Sequence, residues 1–195
     1  MEVYKLSFEN IIGNDSVKKL LSHTIDSNNI LHSYMFIGPD GIGKSLFAKE
    51  FANMILNNPI DIYNHPDFMI IEPEDGKSLK IEQIRYLQEK ISEKPIGGNK
   101  KIYIINDSDF MTKEAQNCLL KTLEEPPSYA IMVLVVSNEN KMLTTIKSRC
   151  TKVTFQPLSV DELKSYFTLN NLPVPNDNIF KVCSRKYWKS TYFAR

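Results

Sequence analysis

The stretch "SYMFIGPDGIGKSLFAKEF", residues 33–51, decides the fold. It starts as a short apolar run, passes through a glycine-rich loop, and ends in apolar residues at helical spacing. The loop "GPDGIGKS", residues 38–45, matches the pattern G-x-x-x-x-G-K-[ST], which indicates phosphate binding when a strand precedes it and a helix follows. Both conditions hold here, so the sequence predicts a phosphate-binding loop between a buried strand and a helix.

The residue types in this loop suit a nucleotide. Glycines let backbone N–H groups turn towards phosphate, the lysine reaches the outer phosphates, and the serine hydroxyl can ligate Mg²⁺ at the positive end of the new helix. The alternative is a glycine turn that binds nothing, which the strand–loop–helix context disfavours. We therefore predict ATP or ADP with Mg²⁺ as cofactors and Ser45 as a Mg²⁺ ligand. The predicted nucleotide contacts are Gly38, Pro39, Asp40, Gly41, Ile42, Gly43, Lys44 and Ser45.

Apolar strands and amphipathic helices alternate along the rest of the chain. Strands that alternate with helices and are apolar throughout form parallel sheets with both faces covered. The sequence therefore predicts an α/β fold with a five-stranded parallel sheet flanked by helices. Its predicted strands are residues 33–38, 67–73, 101–106, 131–137 and 152–156, and its helices begin at a cap on Asp15 and Ser16, at Lys44, at Lys80 and at Thr112.

A domain boundary is predicted near Pro157. Ser159 and Glu162 form the pattern of a capping box, which opens a new helix after this proline. We assign residues 1–157 to a nucleotide-binding domain and 158–195 to part of a helical lid domain.

Composition narrows the class of protein without deciding the function. The chain has 195 residues, 42% hydrophobic and 24% charged, with a net charge of +1, so any contact with DNA must be local. Three cysteines, Cys118, Cys150 and Cys183, suit reduced thiols better than a disulfide framework. Because the chain shows neither a signal core nor a membrane-spanning run, we expect a cytoplasmic protein without a membrane partner.

The end of the third predicted strand, "IINDSDF", raises the question of hydrolysis. Nucleotide hydrolases with a phosphate loop place an acidic residue here to hold the metal. This chain has Asn106 instead, which we predict to belong to the nucleotide site. Its amide can accept a hydrogen bond from a metal-bound water but carries no charge. Two interpretations stay open: Asp107 or Asp109 takes over the acidic role, or hydrolysis is slow or absent. We favour the second, in which Ser45 and the phosphates still hold the metal while hydrolysis is slow or absent. Asp109 alone is as likely to cap a helix as to be catalytic.

Five stretches, in this order along the chain, narrow the family. Together they resemble the clamp-loader branch of the AAA+ ATPases, and within it the delta-prime subunits of bacterial DNA polymerase III, over about residues 8–167. The stretches are "FENIIGND", "HSYMFIGPDGIGKS", "HPDF", "AQNCLLKTLEEPP" and "TIKSRC".

The resemblance implies roles for two further residues. Arg149, in "TIKSRC", matches the arginine finger that points at the γ-phosphate held by a neighbouring subunit. A guanidinium suits this role because it stabilises spreading phosphoryl charge; the alternative is a surface arginine in a salt bridge. Ser137 matches the nucleotide-sensing position at the end of the fourth strand, although a serine there could also simply end the strand.

The chain departs from the family's zinc module. Such subunits usually carry four cysteines between the phosphate-loop helix and "HPDF", but residues 53–64 contain none. The lone His65 cannot complete a tetrahedral site, so we predict no zinc.

The function that the resemblance implies is DNA replication, as a clamp-loader stator. Such a subunit would supply Arg149 in trans and help to load the sliding clamp on primer-template DNA. Its partners would be the motor and delta-type subunits, then the clamp and DNA. Two alternatives remain: an ATP-hydrolysing motor subunit of the same loader, and an unrelated P-loop ATPase or kinase, which leaves "LLKTLEEPP" and "TIKSRC" unexplained.

The tail "SRKYWKSTYFAR", residues 184–195, fits the family poorly. The resemblance implies a lid helix and a turn similar to "GNIGKAL", and a reading frame shifted by one base can encode that segment from plausible codons for this tail. We therefore expect a frame change near Ser184, a lid domain cut short, and no C-terminal collar domain.

Overall fold

The computed structural model describes residues 7–57, 62–74 and 76–169. In these ranges the chain forms six α-helices, five strands and four short 3-10 turns. None of the helices in the described ranges is both long and apolar enough to cross a membrane. The strands are β1 (Ser33–Ile37), β2 (Phe68–Ile71), β3 (Lys101–Ile105), β4 (Ala130–Val136) and β5 (Thr151–Thr154). The helices are α1 (Asp15–Asp26), α2 (Lys44–Leu56), α3 (Ile81–Ser92), α4 (Lys113–Glu124), α5 (Thr144–Lys147) and α6 (Val160–Leu169).

All five strands form one parallel sheet in the order β2-β3-β4-β1-β5. The predicted fold class is therefore confirmed. The predicted elements are all present, with ends that shift by a few residues, whereas α5 was not predicted. Because every strand runs the same way, the carboxyl ends of all five lie at one edge of the sheet, where α/β proteins bind ligands.

Each face of the sheet carries its own hydrophobic core. Alternate residues of a strand point to opposite faces, and both sets are apolar here, as the continuous apolar runs predict. Helices α3 and α4 cover one face, and α1 and α2 cover the other. The first core includes Met35, Ile84, Leu87, Tyr103, Ile105, Leu119, Met132 and Leu134. The second includes Leu21, Tyr34, Phe36, Phe47, Phe51, Ile102, Ile104 and Val133.

The predicted cap of the first helix is wrong. Asp15 is already helical, and the capping position belongs to Asn14, in the left-handed region at φ 53°. The Asn14 amide makes no capping bond, because it pairs with a distant segment instead. Its Nδ2 donates to the Gln156 carbonyl at 3.1 Å, and the Gln156 N–H donates to its Oδ1 at 2.7 Å. This pairing fixes the start of α1 against the chain that follows β5.

The predicted capping box before α6 is confirmed. The Ser159 N–H donates to Glu162 Oε2 at 2.7 Å, and the Glu162 N–H donates to Ser159 Oγ at 3.2 Å.

The chain leading into α6 packs closely on Gly13, whose φ is 75° and where an added Cβ would lie 2.1 Å from Leu158 Cδ2. The domain boundary near Pro157 stays a prediction. The proposed frame change at 184–195 lies outside the described residues.

The stretch "HPDF" anchors a loop that precedes β3. Asp67 is 1% exposed, and its carboxylate accepts from the N–H groups of Ile96 and Gly97 at 2.8 and 2.5 Å. An added Cβ on Gly97 would lie 3.2 Å from the same carboxylate, so a side chain there would crowd this contact. The basic loop "KPIGGNKK", residues 94–101, is therefore held by Asp67 at Ile96 and Gly97, ahead of β3.

We predict that Asp67→Ala lowers the free energy of unfolding by about 1.5–3 kcal/mol, the usual net contribution of hydrogen bonds to a charged group. Urea unfolding followed by circular dichroism measures this change. Asp26→Ala, at an exposed site near the end of α1, is the matched control and should change stability by less than about 0.5 kcal/mol. Equal effects of the two substitutions would show that Asp67 does not hold the loop.

Candidate phosphate-binding site

The candidate site lies at the carboxyl edge of the sheet. The loop at residues 38–45 leaves β1 and leads directly into α2, as predicted. Asn106 follows β3, and Ser137 follows the neighbouring β4. Parallel pairing therefore brings together three segments that are far apart in sequence.

Glycine is required at particular places in the loop. Gly41 and Gly43 have φ of 77° and 91°, in the region that favours glycine, and Gly43 directly precedes the first turn of α2. At Gly38 an added Cβ would lie 2.9 Å from the Phe155 carbonyl oxygen and 2.7 Å from Ile42 Cδ1. The loop thus passes closely over the chain that follows β5 and presents the start of α2 to the cleft.

Lys44 is the most constrained side chain of the loop. It is 5% exposed, and its Nζ donates to the carbonyls of Gly38 and Pro39, both at 2.7 Å, and to Ser137 Oγ at 3.1 Å. Burial lowers the pKa of this ammonium, and the negative charges of nearby carboxylates oppose that shift. Those carboxylates belong to Asp40, Asp109 and Asp107. The structure therefore brings Ser137, which the resemblance singled out, into contact with the loop lysine.

A chain of hydrogen bonds links the loop to β3 and β2. The Ser45 hydroxyl donates to Asn106 Oδ1 at 2.9 Å, and Asn106 Nδ2 donates to Glu72 Oε1 at 2.6 Å. The sequence predicted Ser45 and Asn106 but missed Glu72. The only feature of the sequence that could have identified Glu72 is its position directly after a strand, which Asn106 shares. Glu72 belongs to no motif.

The two aspartates after Asn106 occupy different surroundings. Asp109 is buried, and its carboxylate accepts from the Ser137 N–H at 3.0 Å, so it holds the end of β4. Asp107 is exposed, lies at the cleft, and has φ 49°. Partial desolvation raises the pKa of Asp107, as do the charges of Asp109, Asp40 and Glu72, while Lys44 opposes the shift. Asp107 is thus the carboxylate after β3 that is open to the cleft.

The cleft between these segments has a volume of about 350 Å³. Ligand pockets for small molecules begin at roughly this size. Its lining combines the loop backbone, the ammonium groups of Lys44 and Lys49, and the carboxylates of Asp40 and Asp107. Loop N–H groups beside ammonium groups are the chemistry expected around a phosphate. The lining residues are Asp40, Gly41, Gly43, Lys44, Ser45, Leu46, Lys49, Asp107, Val135 and Ser137.

Arg149 lies elsewhere, just after α5, and the residues that line this cleft do not include it. Its guanidinium donates to the Thr145 carbonyl at 2.9 Å and pairs with Glu124 Oε1 at 2.6 Å. The side chains of Arg149 and Glu124 are 34% and 50% exposed, so solvent screens their charges. The next residue, Cys150, packs into the core, and burial raises the pKa of its thiol to about 12.

The described residues contain no group of three or more His, Cys, Asp or Glu side chains that could hold a metal. The zinc prediction concerns a segment that includes residues 58–61, outside the described ranges, so it stays a prediction. Magnesium is a different case, because it is commonly held by one or two carboxylates or by the hydroxyl of a phosphate loop, together with phosphates and water. Ser45 Oγ, beside Asn106 Oδ1, is an oxygen donor that fits this pattern.

The five-stranded parallel sheet and the phosphate-type loop between β1 and α2 have the AAA+ fold of P-loop proteins. A DNA polymerase III gamma subunit-related protein from Thermotoga maritima superposes with a TM-score of 0.62 at 24% identity, covering 85% of this chain and 57% of that one. RuvB from the same organism superposes with a TM-score of 0.64 at 17% identity, covering 94% and 59%. Similarity at this level of identity establishes the fold alone.

The chain belongs to the family described as "DNA polymerase III, delta subunit", whose sequence profile matches residues 13–159. DNA polymerase III subunit delta' of Bacillus subtilis is 40% identical over 156 residues, covering 73% of this chain and 47% of that protein. Subunit tau of Bacillus subtilis is 31% identical over 165 residues, covering 78% and 29%. The chain thus spans less than half the length of these curated relatives. Family membership rules out an unrelated P-loop ATPase or kinase.

Proposed function

We propose that this chain is a clamp-loader subunit of the delta-prime type, which binds ATP or ADP with Mg²⁺ and acts as a stator. The observation that carries the proposal is an intact phosphate loop whose Ser45 hydroxyl meets a neutral amide, Asn106, where a hydrolytic site needs an acid. The loop supports binding, and the amide argues against fast turnover.

Nucleotide binding would use the cleft between residues 38–45 and β4. Phosphate would meet the N–H groups at the start of α2 and the ammonium of Lys44, which already lies inside the loop. Ser137, in contact with the same ammonium, is well placed to respond to the outer phosphates. When bound, Mg²⁺ would supply positive charge beside Ser45.

Weak hydrolysis follows from the charges around this position. Asn106 offers the metal an oxygen but no negative charge, and its amide is already hydrogen-bonded on both sides. Asp107 is open to the cleft but sits one residue further along, in a left-handed turn. It is the candidate for the acidic role if hydrolysis occurs.

Arg149 is proposed as an arginine finger that acts on the nucleotide of a neighbouring subunit. Its ion pair with Glu124 is solvent-exposed, and such pairs contribute about 0–1 kcal/mol. A phosphoryl group in a desolvated interface would be a stronger partner, so the guanidinium can leave Glu124 at little cost.

The proposed partners are the motor and delta-type subunits of the loader, and through them the sliding clamp and primer-template DNA in the cytoplasm. Relatives at 40% and 31% identity are named DNA polymerase III subunits delta' and tau. A motor role, the second candidate, is favoured by the intact loop "GPDGIGKS". The two candidates differ in whether the isolated chain hydrolyses ATP quickly.

We predict that Lys44→Ala weakens binding of a fluorescent ADP analogue at least about tenfold, because a charged hydrogen bond to phosphate contributes about 1.5–3 kcal/mol. Anisotropy titration measures the affinity. Lys19→Ala, at an exposed site on α1, is the matched control and should bind like the unaltered chain. Unchanged affinity of Lys44→Ala would contradict nucleotide binding by the loop, and rapid ATP turnover by the isolated chain would favour the motor role.

We predict that Arg149→Ala leaves the nucleotide affinity of this chain within about twofold but slows ATP turnover by a reconstituted clamp loader that contains it. Arginines supplied in trans contribute about 10³–10⁵ in rate in other systems, and we expect less here because other sites in the loader continue to turn over. Steady-state phosphate release measures the effect, with exposed Arg85→Ala as control. The finger is ruled out if Arg149→Ala and Arg85→Ala loaders turn over ATP at the same rate.

A further inference from the structure

Glu72 joins the candidate site without belonging to any of its motifs. It directly follows β2, the neighbour of β3, and the Asn106 N–H donates to the Ile71 carbonyl at 2.9 Å. Strand pairing therefore sets Glu72 beside Asn106. Its backbone carbonyl also accepts from Gln83 Nε2 of α3 at 2.9 Å, so the residue is held from two sides.

The carboxylate of Glu72 determines which end of the Asn106 amide faces Ser45. An ionised carboxylate only accepts hydrogen bonds, whereas an amide has a donor end and an acceptor end. Asn106 Nδ2 donates to Glu72 at 2.6 Å, which leaves Oδ1 to accept from the Ser45 hydroxyl at 2.9 Å. Turning the amide over would set its oxygen against the carboxylate, so the observed orientation is strongly preferred.

This orientation matters for a cation beside Ser45. Magnesium takes oxygen ligands and ordered waters, and an amide NH₂ group directed towards it would be repelled. We propose that Glu72 is a positioning residue that makes Asn106 an oxygen donor towards the magnesium of a nucleotide bound at Ser45. This inference rests on the nucleotide binding proposed above.

The test compares ADP affinity with Mg²⁺ and with EDTA, so that the ratio gives the enhancement by Mg²⁺. We expect Glu72→Ala to lower this enhancement about tenfold, as loss of outer-shell partners does in other metal sites, and to leave the affinity in EDTA within about twofold. In an Asn106→Asp background, Glu72→Ala should leave the enhancement unchanged or raise it. The carboxylate introduced by Asn106→Asp presents an oxygen to the metal in either orientation. Glu72→Ala then only removes the repulsion between that carboxylate and Glu72.

The control is Glu74→Ala, which removes the same charge at an exposed position two residues along and should bind like the unaltered chain. The inference would be overturned if Glu72→Ala lowered the enhancement by Mg²⁺ equally in the unaltered chain and in the Asn106→Asp variant. Glu72 would then act through its charge rather than on the amide. An unchanged enhancement in the Asn106 background would also overturn it. If the unaltered chain binds ADP through Lys44, such results refute this inference alone. If the unaltered chain binds no ADP with Mg²⁺ or with EDTA, the proposed function fails as well.

Discussion

The parallel pairing of β2, β3, β4 and β1 is the constraint on which the site depends. Since these strands run in one direction, the residues that follow them emerge at the same edge of the sheet. The consequence is a continuous polar path from Lys44, which contacts Ser137 after β4, to Ser45, Asn106 and Glu72. A strand in the opposite direction would remove its residue from this path, so the topology accounts for the site more than any single motif.

The amide in this path would allow the loop to bind nucleotide while turnover is slow, as proposed for this chain. Nucleotide binding would depend on the loop backbone and on Lys44, and the hydrogen bonds that hold Lys44 do not involve Asn106. Hydrolysis also needs negative charge near the metal, and the one carboxylate in contact with Asn106 accepts a hydrogen bond from its amide. In the proposed stator, the nucleotide would stabilise the subunit, while Arg149, outside this cleft, would act on a neighbour's reaction.

Local patterns predicted most of the fold. Apolar runs gave the five strands, helical spacing gave the long helices, and Ser159 with Glu162 gave the start of α6. The sequence did not predict contacts between distant residues. The predicted cap on Asp15 and Ser16 left Asn14 without a role, yet its amide pairs with Gln156. Lys101 begins a strand buried in the sheet, where its ammonium donates to the Glu93 carbonyl at 3.2 Å, at the negative end of α3. Glu72 is a third case, because only the pairing of β2 with β3 sets it beside Asn106.

The most direct measurement is a crystal structure of the chain grown with ADP and Mg²⁺. We expect ADP in the cleft beside α2, with Lys44 Nζ on the β-phosphate instead of the Gly38 and Pro39 carbonyls. We also expect the metal beside Ser45 Oγ, with the Asn106 amide oxygen towards it and Nδ2 still bonded to Glu72. A cleft that stays empty at saturating ADP, or nucleotide bound away from residues 38–45, would contradict the account.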